Sequence, residues 1–154
     1  MKGRKRHIAV DTQGLLLKVV VHTADIQDRD GARLVLGDLP LQFPRLHHLW
    51  ADAGYRGKLV TWVRETLGWS MEIVKHWWTG VAKVWVKDGQ EPPERPVGFV
   101  PLPRRWVVER TLAWLTTNRR LVVEYDELAT SSEARVYLAM IRLMTTRLAR
   151  YSST

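Results

Sequence analysis

The chain has 154 residues, 45% of them apolar and 26% charged, which suits one globular domain with a real core. It contains no cysteine, which excludes disulfides and thiolate metal sites, and its apolar runs, such as Leu15–Leu17 and Val19–Val21, are far too short to span a membrane. A net charge of +8 favours a polyanionic partner, because Lys and Arg release the counterions condensed on phosphates, although a merely basic protein would have the same balance.

The start, MKGRKRH, is basic but runs into no apolar core, so it is not a secretory signal. A cytoplasmic protein with no membrane partner is the expectation. KGRKRHIAV and LLLKVVVH read as strands, and Asp11-Thr-Gln-Gly14 between them supplies turn residues, so an antiparallel hairpin is predicted with Asp11 as a turn former. Lys2, Arg4, Lys5 and Arg6 have two readings. They can track a phosphate backbone, or they can solvate an edge strand against unwanted pairing.

TADIQDRD is a polar linker, and GARLVLGDL carries a short helical pattern. Asp28 or Asp30 then serves as N-cap or first-turn acid, and Asp25 or Asp28 can also border a metal site. Leu39–Pro44 reads as a loop. LHHLWAD switches back to strand, and Ala53-Gly54-Tyr55-Arg56-Gly57 leads into the helix KLVTWVRETLG. This is half of a βαβ unit, with Asp52 at the carboxyl end of the strand, where ligands of open α/β sheets sit. His47 and His48 are adjacent on that strand and point to opposite faces, so they are read as structural.

GWSMEIVK gives another strand, and residues 76–98 form a Trp- and Pro-rich insert, read as a hairpin (WTGVAKVWVKDG) and an extended loop. Its Trp77, Trp78 and Trp85 suit either a small satellite core or stacking on bases. Pro103 suits a helix start. In RRWVVERTLAWLTTNRR, Arg105, Glu109 and Thr116 share one helix face, while Val107, Trp114 and Leu115 can face a core. Arg119 and Arg120 are placed at the end of that helix, where cations are favoured. Thr130-Ser-Ser-Glu133 has a capping-box pattern, and Ala134, Tyr137, Leu138, Ile141, Met144 and Leu148 form the packing stripe of a last helix.

Two carboxylates, Asp52 at a strand end and Glu109 on a helix, are hard oxygen donors of the kind Mg²⁺ takes alongside substrate phosphate. Two such ions can activate a nucleophilic oxygen and neutralise a leaving one in phosphodiester chemistry. Arg105 lies four residues before Glu109, placed to orient its carboxylate or to grip a phosphate. Spacing alone is equally compatible with an ordinary turn residue and a helical ion pair.

Five blocks in order, KGRKRHIAVDTQGLLL, TADIQDRDGA, WADAGYRGKLV, LPRRWVVERTLAWL and SSEARVYLAMIRLM, resemble the catalytic half of bacterial insertion-sequence transposases of the DDE type. The resemblance covers nearly the whole chain apart from the insert. It implies a single catalytic domain over residues 1–154 with an α/β, ribonuclease-H-like mixed sheet flanked by helices. It also implies DNA transposition, cutting and rejoining transposon ends and target with Mg²⁺ or Mn²⁺. Asp52 then matches the second catalytic Asp and Glu109 the catalytic Glu, both metal ligands. The family's helix signature (Tyr, two residues, Arg, three residues, Glu, six residues, Lys) is met by Arg105 and Glu109, with Leu102 at the Tyr position and Thr116 at the Lys position. Arg119 or Arg120 is the candidate substitute for that Lys as a phosphate contact. The family's first catalytic Asp lies on a strand before the block that KGRKRH matches, and no counterpart is seen here. The expectation is therefore a sheet lacking its first strand and a chain acting as part of a transposase, with an upstream polypeptide or a homo-oligomer as partner. The alternatives are an inactive DNA-binding remnant and a stand-alone nuclease of the same fold.

Overall fold

The computed structural model describes residues 3–74, 104–123 and 126–152. Strand β1 (Arg4–Val10) and strand β2 (Leu16–Thr23) form the predicted antiparallel hairpin, in register from Arg4 opposite Thr23 to Ile8 opposite Val19. Its turn is fixed by Asp11, whose Oδ1 accepts from the backbone N–H groups of Gln13 and Leu15, both at 2.8 Å. Gly14 adopts the left-handed conformation at φ 78° that an L side chain rarely takes.

The hairpin is a middle layer. Alternation sends His7, Ala9, Lys18 and His22 toward helix α1 (Asp28–Leu36), and Ile8, Val19 and Val21 toward the C-terminal helices α4 (Arg105–Thr116), α5 (Arg119–Val122) and α6 (Ala129–Tyr151). On the second side Val19 and Val21 pack with Leu115, Leu121, Val136 and Met140. On the first side Ala32 and Leu36 of α1 meet Leu39, Leu59, Val63 and Trp69.

Strand β3 (His48–Ala51) pairs in parallel with β4 (Ser70–Ile73) across helix α3 (Lys58–Trp62) and a π-helical turn, Val63–Leu67. Burial of Leu59 and Val63 anchors this crossover against α1. The expected mixed α/β architecture of small sheets flanked by helices is present. The antiparallel and parallel pairs remain separate two-stranded sheets. Among the described residues β1 bonds only to β2, and β3 only to β4. The outer edge of β2 is closed differently: Val21 N–H donates to Glu133 Oε1 at 2.8 Å and Val19 N–H to the Tyr137 hydroxyl at 3.3 Å.

Four local expectations need correction. Leu39–Gln42 forms a short helix, α2, because Pro40 stands in its first turn, where a missing N–H costs nothing. Arg119 and Arg120 do not end the Glu109 helix; α4 stops at Thr116 and they open α5. The Thr130–Glu133 box is not a cap, since α6 begins at Ala129 and the Glu133 carboxylate serves the edge of β2 instead. Finally, α6 buries Ser132, Val136 and Met140, while Tyr137, Leu138, Ile141 and Leu148 are exposed. Two stripes at helical spacing compete there, and the narrower one, led by Ser132, fits closely against β2. The insert at 76–98 and Pro103 lie outside the described residues.

Candidate metal and nucleic-acid site

Asp52 follows the last residue of β3 and caps a 3-10 turn, Ala53–Tyr55, its Oδ1 accepting from Gly54 N–H at 2.8 Å. This bond fixes the carboxylate's direction, and Asp52 is exposed. Gly54 holds a second carboxylate close by: a Cβ placed on it would lie 3.1 Å from Asp52 Oδ1 and 3.8 Å from Asp28 Oδ2. The two acids thus flank one glycine, and Asp28 is a first-turn acid of α1 as expected. Lys5 Nζ donates to Asp28 Oδ1 at 3.0 Å and holds that carboxyl below the usual carboxylate range. A cavity of about 250 Å³ lined by Lys5, Gln27, Asp28, Arg29 and Gly54 opens beside them.

Behind the turn, the Tyr55 hydroxyl and His7 Nδ1 are 2.9 Å apart. Burial first, then the charges of Asp52 and Asp28, push the Tyr55 phenol up to about 12. It therefore stays protonated and can donate to the imidazole. His7 stacks on His22 with ring centroids 4.7 Å apart, both buried, and both Nε2 atoms close on the backbone of Gly31. Sequence reading missed this support. His7 sits within a basic run and His22 ends a strand; only the Gly at 31, in the middle of a helical pattern, signalled a close approach.

Glu109 is exposed in the middle of α4, and Arg105 opens that helix one turn earlier, its side chain lying outside the description. Val107 and Leu115 are buried as predicted, Trp114 is half-buried, and buried Thr111 ties the helix to the hairpin turn by donating to Gly14 O at 2.6 Å. The start of α4 meets β3 directly. The Arg104 guanidinium lies 4.5 Å from the ring centre of Trp50, two residues before Asp52, and this contact joins the elements that carry the two candidate carboxylates.

The basic run is tied down internally. Arg4 bonds Glu127 O, Lys5 also donates to Ile26 O at 3.0 Å, and Arg6 donates to Leu121 O at 2.7 Å. Its cations therefore brace the hairpin against both flanking layers, whatever else they contact, while Lys2 lies outside the described residues. Arg119 and Arg120 are exposed on α5, with no ion pair among the described residues. His48 bonds the Ser70 hydroxyl at 2.6 Å, in keeping with a structural role.

Asp52 and Glu109 offer hard oxygen donors, the chemistry a divalent Mg²⁺ or Mn²⁺ requires. Among the described residues no three acidic, His or Cys side chains gather closely enough to enclose a metal. Such a site would draw its remaining ligands from phosphate or from a further carboxylate.

A family model described as "Transposase DDE domain" matches residues 1–144. The chain belongs to the DDE transposase family. No curated protein and no solved structure matches it. Transposase domains of this family act on DNA in transposition and recombination and generally depend on a divalent metal. No helix among the described residues of this transposase domain is long and apolar enough to cross a membrane.

Proposed function

We propose that the chain acts in a bacterial insertion-sequence transposase, which cuts DNA at transposon ends and joins them to target DNA. Asp52 and Glu109 hold the divalent ions, and Arg105 positions Glu109 or a phosphate. The ions, when bound, polarise the scissile phosphate and neutralise the leaving oxygen. The chain's own part is to fix the two carboxylates: Gly54 N–H orients Asp52, and the Arg104–Trp50 contact sets α4 against β3.

The observation that carries this reading is the family match together with Asp52 at the carboxyl end of a parallel strand. Among the described residues the two pairs β1–β2 and β3–β4 join no further strand, which supports a core completed by another strand that brings a further carboxylate. An isolated two-stranded parallel sheet has little stability of its own. A second reading, a DNA-binding remnant without catalysis, draws on the lack of a three-ligand cluster among the described residues.

Duplex binding across a salt series tests the DNA claim. Affinity of the chain should fall steeply with salt, and the Arg119→Ala/Arg120→Ala double variant should weaken binding and lower the log–log slope by about 2. Asp52→Asn should bind as well as the parent chain. No duplex binding at low salt would refute the reading, and an unchanged slope would remove Arg119 and Arg120 from it.

A further inference from the structure

One face of the parallel strand pair carries a cluster that the carboxylate chemistry does not use. His48 and Trp50 of β3 stand opposite Ser70 and Glu72 of β4. Residues two apart on a strand share a face, so the four side chains gather on one side of the pair. His48 Nε2 and Glu72 Oε2 lie 3.8 Å apart across the strands, too far for a hydrogen bond. Their side chains are 35% and 65% exposed, so dissolved ions reach both.

Each group is held in place by a neighbour. Ser70 Oγ has one hydrogen, which it donates to His47 O at 3.2 Å. The 2.6 Å bond between Ser70 Oγ and His48 Nδ1 then takes its hydrogen from the imidazole. The neutral ring is thereby fixed in the tautomer whose lone pair is on Nε2, the nitrogen beside Glu72. Glu72 Oε2 accepts from Trp50 Nε1–H at 3.1 Å, and the Trp50 ring stands edge-on to His48 with centroids 4.4 Å apart. A bare imidazole lone pair and a carboxylate repel each other unless a cation stands between them.

A His oriented through its other nitrogen, next to a carboxylate that is itself hydrogen-bonded, is the arrangement metal ligands take. Two donors about 2 Å from one tetrahedral ion are about 3.4 Å apart, and exposed side chains close the remaining ~0.4 Å by a small rotation. Imidazole selects zinc and its neighbours over magnesium, which prefers oxygen alone. With two protein donors, the other positions on the ion fall to water. The Arg104 guanidinium, 4.5 Å from the Trp50 ring centre, works against a bound cation and keeps the affinity modest, at a Kd of about 10 µM.

We propose that His48 and Glu72 bind a divalent ion of the zinc class, and that this ion clamps β3 to β4. The site is separate from the Asp52 and Glu109 carboxylates and independent of the DNA-cleaving reading. A two-stranded parallel sheet has little stability of its own, so a side-chain bridge steadies the strand that ends at Asp52.

Isothermal titration of the tag-free chain with Zn²⁺, in millimolar Mg²⁺ to occupy oxygen-only sites, tests this. One equivalent should bind, and zinc at about a hundred times Kd should raise Tm by roughly 5–10 °C. His48→Ala and Glu72→Gln should each weaken binding at least about tenfold and remove the rise in Tm, while His47→Ala and Asp52→Asn leave both unchanged. Glu72→Gln keeps an acceptor for Trp50 Nε1–H, so it preserves the test if His48→Ala fails to fold. Absence of zinc binding by the parent chain, or binding that a folded Glu72→Gln leaves intact, would overturn the inference, as would loss of binding in Asp52→Asn. The DNA reading is untouched by any of these results, since duplex binding across the salt series tests it separately.

Discussion

Gly31→Ala is the substitution that most sharply examines the packing behind Asp52. A Cβ at residue 31 would lie 2.4 Å from His22 Nε2, 2.5 Å from His7 Nε2 and 2.7 Å from His7 Cδ2, all inside contact distance. Neither ring can swing freely. His7 is held through Nδ1 by the Tyr55 hydroxyl at 2.9 Å, His22 donates from Nδ1 to Thr23 O at 2.7 Å, and the residues are only 6% and 8% exposed. Overpacking of this kind costs up to about 3 kcal/mol. Displacing one ring also forfeits a hydrogen bond, about 1 kcal/mol. Against these, alanine in a helix interior is favoured over glycine by about 1 kcal/mol. The net expectation is a loss of about 3 kcal/mol, or a Tm lower by roughly 6–12 °C for a chain of this size. Urea unfolding of Gly31→Ala, His22→Ala and the double variant measures it, and the double variant should be more stable than the sum of the single losses predicts by at least about 1 kcal/mol. If Gly31→Ala proves as stable as the parent chain or more so, the helix-propensity gain has acted alone and the close approach of the two rings is refuted.

Two further outcomes follow from the same framework. Burial, and then the charge of His22, lower the His7 pKa, with Lys5 adding to this and Asp28 opposing it; the unfolded chain therefore binds the proton more readily. Stability should hold above pH 6.5 and decline as pH falls below it toward the lowered folded value, and His7→Asn should flatten that decline in unfolding curves between pH 7 and 5. Asp28, held low by Lys5, loses its contribution only at more acid pH and does not distort this window. Glu133→Ala should destabilise by about 1–3 kcal/mol and speed amide exchange at Val21, because it strips the acceptor from a buried strand N–H; unchanged exchange at Val21 would show that α6 does not close the edge of β2.

What the sequence disclosed was local. Asp11 and Gly14 announce a turn through side-chain chemistry that acts within four residues, and the β-branched run in KVVVH announces a strand, so the hairpin was legible. Asp52 was placed correctly at its strand end because the Gly54–Gly57 turn follows it, and the core-facing positions Val107 and Leu115 of α4 followed from helical spacing. The failures share a cause. Glu133 fits a capping box locally, but Val21, 112 residues away in sequence, competes for its carboxylate and wins. The buried stripe of α6 is chosen by the shape of β2, which no property of α6 itself reveals. The His7–His22–Gly31 cluster joins three elements through one missing Cβ, and the Arg104–Trp50 contact joins α4 to β3; each needs the tertiary structure to become visible. The separation of the sheet into two pairs was not legible, since pairing partners are not written in either strand alone.

The central claim is that Asp52 acts in metal-dependent cutting and joining of DNA once the core is complete. Asn at position 52 keeps an oxygen for Gly54 N–H and is as good a cap as Asp, so Asp52→Asn removes charge without disturbing the turn. The decisive measurement is strand cleavage and joining of a duplex bearing an insertion end, with Mg²⁺, using the chain together with a polypeptide that supplies the further carboxylate-bearing strand proposed above. The account predicts products with the parent chain, none with Asp52→Asn at equal DNA binding, and none from the chain alone. Cleavage that persists with Asp52→Asn would contradict it.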